Sequence, residues 1–397
     1  MNTGIVEKNH CYGCRACEAV CPTNSISMKE DPEGFLYPVL NKNTCINCRK
    51  CVKVCPAING SIIEHSNLKK AYCGLHFDDT IWQQSSSGGA YSAVCKAAVG
   101  EKSRTIFMGA TYDKNNNVVH SFVKDLTEIK IFRKSKYVQS DLLGMLKLAK
   151  GFISEGYYLI FSGTPCQVAA LNNYLHMERI DCTNYLTIDF VCHGVGSPLV
   201  FKRYLEWLAL KYKSTVRTYS FRNRIVRYNK LFYYISKITL ENGKEAMIKD
   251  DTYVNLFLQK LICRPSCSNC RFSNMNRVSD ITIGDFKKQN EIAPLAKGIK
   301  NRSLLIPNSY IGEDIVSKLS DYMELFEVDI LKCIKANPPL EKCSVGSTYR
   351  SNFFNDLIDF NYNQLQKKYF QKRSLLLSFW LLIPNKLQTV IKKVLKK

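Results

Sequence analysis

The chain has 397 residues, 46% hydrophobic and 11% aromatic, which supplies more than one core and excludes wholesale disorder. Its net charge of +22 suits nucleic acid, a membrane surface, acidic redox partners or phosphorylated cofactors, without choosing among them. Eighteen cysteines in a long chain whose first ten residues carry no apolar run exclude a small disulfide scaffold and point to thiolate ligation in a protein expected in the cytoplasm.

Two duplicated runs open the chain: Cys11-x2-Cys14-x2-Cys17-x3-Cys21-Pro22 and Cys45-x2-Cys48-x2-Cys51-x3-Cys55-Pro56. Two residues between cysteines let a tight loop wrap one face of a cubane, and the fourth cysteine of each run reaches the other cluster. Cys11, Cys14, Cys17 and Cys55 are therefore assigned to one [4Fe–4S] cluster, and Cys45, Cys48, Cys51 and Cys21 to a second. Each proline ends the binding loop and withholds a competing N–H. Zinc knuckles, the alternative, take their ligands as separated pairs rather than as a repeated three-plus-one run. Between the runs, Gly34–Leu40 reads as a hairpin strand, so residues 1–60 are expected to form a two-cluster ferredoxin-like domain.

After Ile58-Asn-Gly60 the pattern alternates between strands and helices. Strands are expected at 72–77, 105–112, 157–162, 184–191, 280–284 and 303–307. Helices are expected at 89–99, 141–153, 167–177 and 198–213. Residues 231–240 and 244–248 read as a hairpin turned by Asn242-Gly243. The fold class is thus α+β: the ferredoxin-like domain, then an α/β domain with a mixed sheet over 61–330, and a basic extension over 331–397.

Four loops carry the unusual residues: Gln84–Ala90, Ser162–Gln167, Val191–Gly196 and Arg264–Cys270. A lone Gly-rich loop is an ordinary helix entry, and a single CxxC is equally a zinc or redox-thiol signal. Loops at strand ends converge at one edge of an α/β sheet, however. There Cys166, Cys192, Cys267 and Cys270 would hold a third [4Fe–4S] cluster, with Cys263 in reserve. Cys73, Cys95, Cys182, Cys333 and Cys343 read as small buried hydrophobes.

From Phe360 to Lys397 nine Lys or Arg stand with no Asp or Glu. Within this tail, Leu375–Ile383 and then Leu387, Val390, Ile391 and Val394 form a basic amphipathic segment. It is too short and interrupted to span a bilayer. It is suited either to peripheral contact with the inner face of the cell membrane or to docking its apolar side on the main domain.

Ser86–Ser92, Ser135–Ser140, Phe161–Gln167, Asp189–Gly194, Arg264–Cys270 and Ser279–Asp285 together resemble the coenzyme F420 hydrogenase/dehydrogenase beta-subunit family, here behind a two-cluster ferredoxin domain. The resemblance runs to about Asn308. It implies FAD beside a [4Fe–4S] cluster, passing electrons to or from a hydride carrier such as coenzyme F420 or another reducible substrate. By position, Cys166, Cys192, Cys267 and Cys270 are similar to the family's cluster ligands. Ser87, Gly88 and Gly89, then Lys136, Tyr137, Gln139 and Ser140, then Gly163, Thr164 and Pro165 resemble its flavin-contacting loops.

His193 is the candidate catalytic residue, placed to donate to flavin or substrate, with a structural histidine as the alternative. Lys287 and Lys288 follow Phe286 where family members often carry an aromatic and a glycine, so one face of the pocket departs from the pattern. Some family members reduce a carbon substrate with ferredoxin electrons, and others accompany genes for surface-polysaccharide assembly, so the family does not fix the acceptor.

The expected partners are ferredoxin or another electron-transfer protein and a small-molecule or lipid-linked redox substrate. Nucleic acid is not expected, because the charge is lysine-heavy and gathered at the tail. The sequence reads as an iron–sulfur flavoprotein oxidoreductase. The alternative is a non-catalytic electron-transfer subunit feeding a partner oxidoreductase.

Overall fold

The computed structural model describes residues 5–65, 70–100, 102, 104–227, 230–296 and 298–370. The amphipathic run from Leu375 to Val394 lies outside the described residues, and with it the membrane-contact expectation. No helix among the described residues is long and apolar enough to cross a membrane.

The N-terminal module is built as a duplicated pair. Strands β1 (Ile26–Glu30) and β2 (Leu36–Leu40) form an antiparallel hairpin, with Met28 opposite Pro38. Each cysteine loop ends in one short helical turn, α1 (Ala16–Ala19) or α2 (Lys50–Lys53). Both turns are entered through a left-handed residue, Arg15 at φ 60° and Arg49 at φ 57°. This module does not float free. Tyr12, Ala16, Val20 and Val54 share one hydrophobic core with Val168, Leu171, Tyr174 and Phe272 of the larger domain. Asn173 of that domain donates to the carbonyls of Val54 and Gly60, at 3.2 and 2.8 Å. At Gly34, φ is +84° and a Cβ would lie 2.3 Å from that of Leu199, so only glycine lets the hairpin approach.

The larger domain centres on an eight-stranded mixed sheet. It uses β3 (Ala71–His76), β4 (Thr105–Tyr112), β5 (Val118–Val123), β6 (Tyr158–Ser162), β7 (Tyr185–Phe190), β11 (Ile281–Asp285), β12 (Ser303–Pro307) and β13 (Met323–Val328), in the order β13-β3-β12-β11-β7-β6-β4-β5. The four central strands β11, β7, β6 and β4 run parallel, and the flanking pairs are antiparallel. Their apolar runs are buried on both faces, as parallel strands require: Leu159, Ile160, Phe161, Leu186 and Ile188 are all at 0–1% exposure. Helices α3 (Ala90–Val99), α4 (Met145–Ser154) and α5 (Pro165–Met177) cover the sheet.

The strands β8 (Val216–Arg227), β9 (Lys230–Leu240) and β10 (Glu245–Ile248) form a second, three-stranded antiparallel sheet. Helices α6 (Pro198–Tyr212), α7 (Thr252–Leu258), α8 (Arg350–Asp359) and α9 (Tyr362–Tyr369) complete the architecture. Phe353, Leu357, Tyr362 and Leu365 of the last two bury their apolar face against Tyr204, Leu208 and Phe257.

Most expected elements fall within two residues of their observed bounds. The helix expected from Asp141 starts instead at Met145. Asp141 exchanges backbone hydrogen bonds with Val118 and His120 at 3.1 and 2.7 Å, and Gly144 turns the chain at φ +69°. Strands β5, β8 and β13 and helix α7 were not anticipated from the sequence.

Candidate metal centres

Sequence proximity fixes three ligands of each N-terminal loop, and tertiary packing fixes the fourth. Cys11, Cys14, Cys17 and Cys55 line one cavity together with Met28, Pro38 and Pro56. The crossed arrangement expected from the spacing is thus the one the fold creates. Cys21 lies beside the other loop, within Coulombic reach of Cys51. Within each loop the third residue donates its backbone N–H to the first cysteine sulfur: Gly13 to Cys11 and Asn47 to Cys45, both at 3.4 Å. Such N–H···S bonds favour a charged sulfur and help set a cluster's potential. Gly13 at φ +65° and Asn47 at φ +55° are residue types that tolerate this left-handed turn.

Cys166, Cys192, Cys267 and Cys270 line a second cavity. Each arrives on a different device. Cys166 sits in the first turn of α5, where Thr164 and Gln167 form a reciprocal cap and Thr164 Oγ1 lies 3.1 Å from the sulfur. Cys192 follows the C-terminal end of β7, and Gly194, at φ +102°, donates its N–H to that sulfur at 3.4 Å. Cys267 and Cys270 flank a 3-10 turn over Pro265–Asn269. β6 and β7 are adjacent parallel strands, so their following loops meet at one sheet edge.

Burial pushes the Cys166 and Cys192 thiols well above their ordinary range, with mutual repulsion adding to it. It raises Cys270 to about 11. Four desolvated thiolates are stable together only beside strong positive charge, and the irons of a cubane supply it. The donor set fits a [4Fe–4S] cluster. Among the described residues, no group of three or more His, Cys, Asp or Glu side chains could hold a single metal ion.

Two residues join the cavities. Tyr12, between Cys11 and Cys14, lines both and accepts from the Arg271 N–H at 3.3 Å. Arg264 is 1% exposed and lies against the rings of Phe35 and Tyr37. It donates to the carbonyl of Cys11 at 2.7 Å, that of Leu36 at 2.9 Å, and the side-chain oxygen of Gln139 at 2.9 Å. All three acceptors are neutral, so this guanidinium brings an uncompensated charge between the two cysteine sets. Nothing in its sequence context marks it out.

His193 lines the same cavity, and its carbonyl accepts from Lys260 Nζ at 2.7 Å. Burial, with help from Lys287 and Lys260, pushes its imidazole down to about 4, so it is neutral near pH 7. It can offer an N–H or a lone pair there, not an imidazolium proton.

The residues resembling flavin-contacting loops divide into two groups. Thr164, Pro165 and Gln139 line the cysteine cavity, with Gly163 just before them. Ser87, Gly88, Gly89 and Lys136 lie elsewhere, and their side chains are largely engaged by the protein. Lys136 Nζ donates to the carbonyls of Ile131, Phe132, Arg133 and Lys134. Ser87 Oγ donates to the Arg302 carbonyl. A Cβ at Gly88 would lie 2.0 Å from the Gly74 oxygen, so packing alone requires glycine there. Tyr137 stacks on Phe257, and Ser140 Oγ lies 2.6 Å from His120 Nδ1.

The residues the sequence reading passed over are the cations beside those loops. Ser135 N–H donates to Ser86 Oγ at 2.7 Å, joining the two loops. Lys134 Nζ reaches Asn223 of β8 at 2.6 Å, and Arg224 donates to the carbonyls of Trp82 and Ser87. Arg222 forms a two-pronged pair with Asp285, at 2.9 and 3.0 Å. Arg133, Lys134 and Arg224 have no such carboxylate partner among the described residues, and Arg224 Nε is buried with no acceptor. Burial and the neighbouring Arg224 lower Lys134 to about 8. Concentrated, unneutralised cations with hydroxyls beside them fit a phosphate-bearing ligand such as FAD. Arg222 and Asp285 connect this cluster to the His193 side of the cysteine cavity.

Residues 158–330 match the model of a family described as the C-terminal part of the coenzyme F420 hydrogenase/dehydrogenase beta subunit, and residues 10–58 and 37–101 match two 4Fe-4S dicluster models. The solved F420-reducing [NiFe] hydrogenase complex from Methanosarcina barkeri contains a chain with 16% identity and a TM-score of 0.45, covering 76% of this chain and 93% of its own length. No curated protein matches. The combination the motifs resemble, a dicluster ferredoxin region ahead of an F420 hydrogenase/dehydrogenase beta-subunit region, is present.

Proposed function

We propose that this chain, an iron–sulfur protein of the coenzyme F420 hydrogenase/dehydrogenase beta-subunit family, is a flavin-dependent oxidoreductase that turns one-electron traffic into two-electron chemistry. Cys45, Cys48, Cys51 and Cys21 would hold the outer cluster, Cys11, Cys14, Cys17 and Cys55 the inner one, and Cys166, Cys192, Cys267 and Cys270 a third. The observation that carries the reading is the single line of sites. Tyr12 and Arg264 bridge the inner and third cysteine sets, and His193, Arg222 and Asp285 bridge the third set to the cation cluster.

FAD, held by Arg133, Lys134 and Arg224 at its diphosphate, exchanges electrons singly with a cluster and in pairs with a hydride acceptor or donor. The protein's own part is positional. Arg264 offsets negative charge where two cubanes approach, and the close packing of Tyr12 and Phe272 keeps water from the gap. His193 stays neutral beside the third site, able to present an N–H toward the acceptor. A small reducible molecule such as coenzyme F420 is the acceptor the family supplies. Use in surface-polysaccharide assembly, with a lipid-linked substrate, is a narrower version of the same reading.

Anaerobically purified protein should release one FAD and, alone, turn over a low-potential electron donor with coenzyme F420 as acceptor. Turnover appearing only when a partner oxidoreductase is added would favour the electron-transfer subunit instead. Absence of flavin would remove the two-electron step from the account.

A further inference from the structure

We infer that the face around Ile46–Lys53 is the docking site of an acidic one-electron carrier protein, which exchanges electrons with the outer cluster. The inference rests on the reading that Cys21, Cys45, Cys48 and Cys51 hold that cluster. Electron transfer between proteins falls steeply with distance, so a carrier must approach where a cluster is nearest the surface. Cys48 is exposed, whereas Cys11, Cys17 and Cys55 are buried.

Around Cys48 the surface has the anatomy of a transient interface. Ile46, 63% exposed, makes an apolar centre, and Lys42, Arg49, Lys50 and Lys53 are exposed around it. From residue 41 to residue 57 there is no Asp or Glu, and none of these four cations forms a salt bridge among the described residues.

The duplication provides an internal control. If cluster binding itself demanded cations, both halves would carry them. At the positions matching Lys50, Val52 and Lys53, the inner half has Ala16, Glu18 and Ala19, and its matching Arg15 is neutralised by Asp141 and Glu18. The positive charge is therefore specific to the half that faces outward. Charge complementarity selects an acidic partner and accelerates its encounter. The step is a single electron: the reduced carrier is oxidised by one electron and the cluster passes from the 2+ to the 1+ state, with no bond or proton moved.

The test uses the full-length, cluster-loaded protein in anaerobic stopped-flow, with a reduced acidic plant-type ferredoxin as the probe and methyl viologen radical cation as the comparison. Iron content and the electron paramagnetic resonance of the outer cluster are measured first. Absence of that cluster in the wild type sinks the underlying reading rather than the docking face.

With the cluster present, the wild-type rate constant with ferredoxin should fall as salt rises. K50E/K53E should lower it about tenfold or more at low salt while leaving the viologen rate undiminished. The milder K50Q/K53Q should lie between, with its cluster potential unmoved, which separates docking from tuning of the cluster. An unchanged ferredoxin rate, or an equal loss with viologen, overturns the inference. So does loss of binding to anionic phosphatidylglycerol vesicles in K50E/K53E while its ferredoxin rate stays intact.

Discussion

The two halves of the N-terminal module share a ligand pattern and differ in almost everything around it. Both loops begin with an N–H···S bond of 3.4 Å, and both enter their helical turn through a left-handed arginine. The inner loop is then walled in: Ala16 is 0% exposed, Tyr12 packs on Phe272, and Arg15 is paired with Asp141. The outer loop presents Ile46, Lys50 and Lys53 to solvent. Cluster geometry thus fixes the cysteines, the turn residues and the prolines. The residues between them are free to serve whatever lies outside, a protein interior in one half and solvent in the other.

Substitutions that exchange these roles should break the symmetry in a graded way. The largest effect belongs to Arg264, which joins the inner loop to the third cysteine set. R264Q leaves carbonyl groups of Cys11 and Leu36 buried without their donor. It should cost about 3 kcal/mol or more in chemical denaturation. Where the clusters still assemble, the inner and third clusters should move to lower potential in a redox titration, with the outer one unmoved. A uniform shift at all three would make Arg264 merely structural.

At the matched positions, A16K forces an ammonium into a fully buried site and should destabilise by roughly 3 kcal/mol, whereas K50A should stay within about 0.5 kcal/mol. R15Q removes a half-sheltered pair with Asp141 and should cost about 2 kcal/mol, between the limits for exposed and buried pairs, against nearly nothing for R49Q. Equal effects within either pair would mean that the larger domain contributes little to the inner half.

The smallest effect concerns a charge that, unlike that of Arg15, meets no carboxylate within the described residues. Lys134 is lowered to about 8, so its protonated form, the one an anion needs, is progressively lost above that pH. FAD affinity, followed by fluorescence on release, should weaken as pH rises through 8, by at most about tenfold per unit. K134Q should abolish that dependence. A flat profile in the wild type would take Lys134 out of the anion site.

How much of this was legible in the sequence follows from where each constraint resides. The N-terminal ligands were legible because three of each four are local, and the fourth follows from the repeat. The parallel strands around Leu159 and Leu186 announced themselves as apolar runs, and the hairpin at Asn242-Gly243 as a turn. Cys166 and Cys192 could be grouped because they follow adjacent strands. Arg264 was silent, since a buried guanidinium is recognised only by its acceptors, which come from residues 11, 36 and 139. Lys134 and Arg224 were equally silent, since they meet only when β8 crosses the loop after the first 3-10 turn. Lys136, singled out by motif, spends its ammonium on backbone carbonyls one turn away.

The central claim is that Cys166, Cys192, Cys267 and Cys270 form a third cluster site continuous with the ferredoxin pair. Mössbauer spectroscopy of 57Fe-loaded protein, with total iron counted per chain, tests it most directly. The account predicts about twelve irons in cubane form, falling to about eight in C166S/C192S with the N-terminal signals retained. About eight irons in the wild type, unchanged by that double substitution, would contradict it.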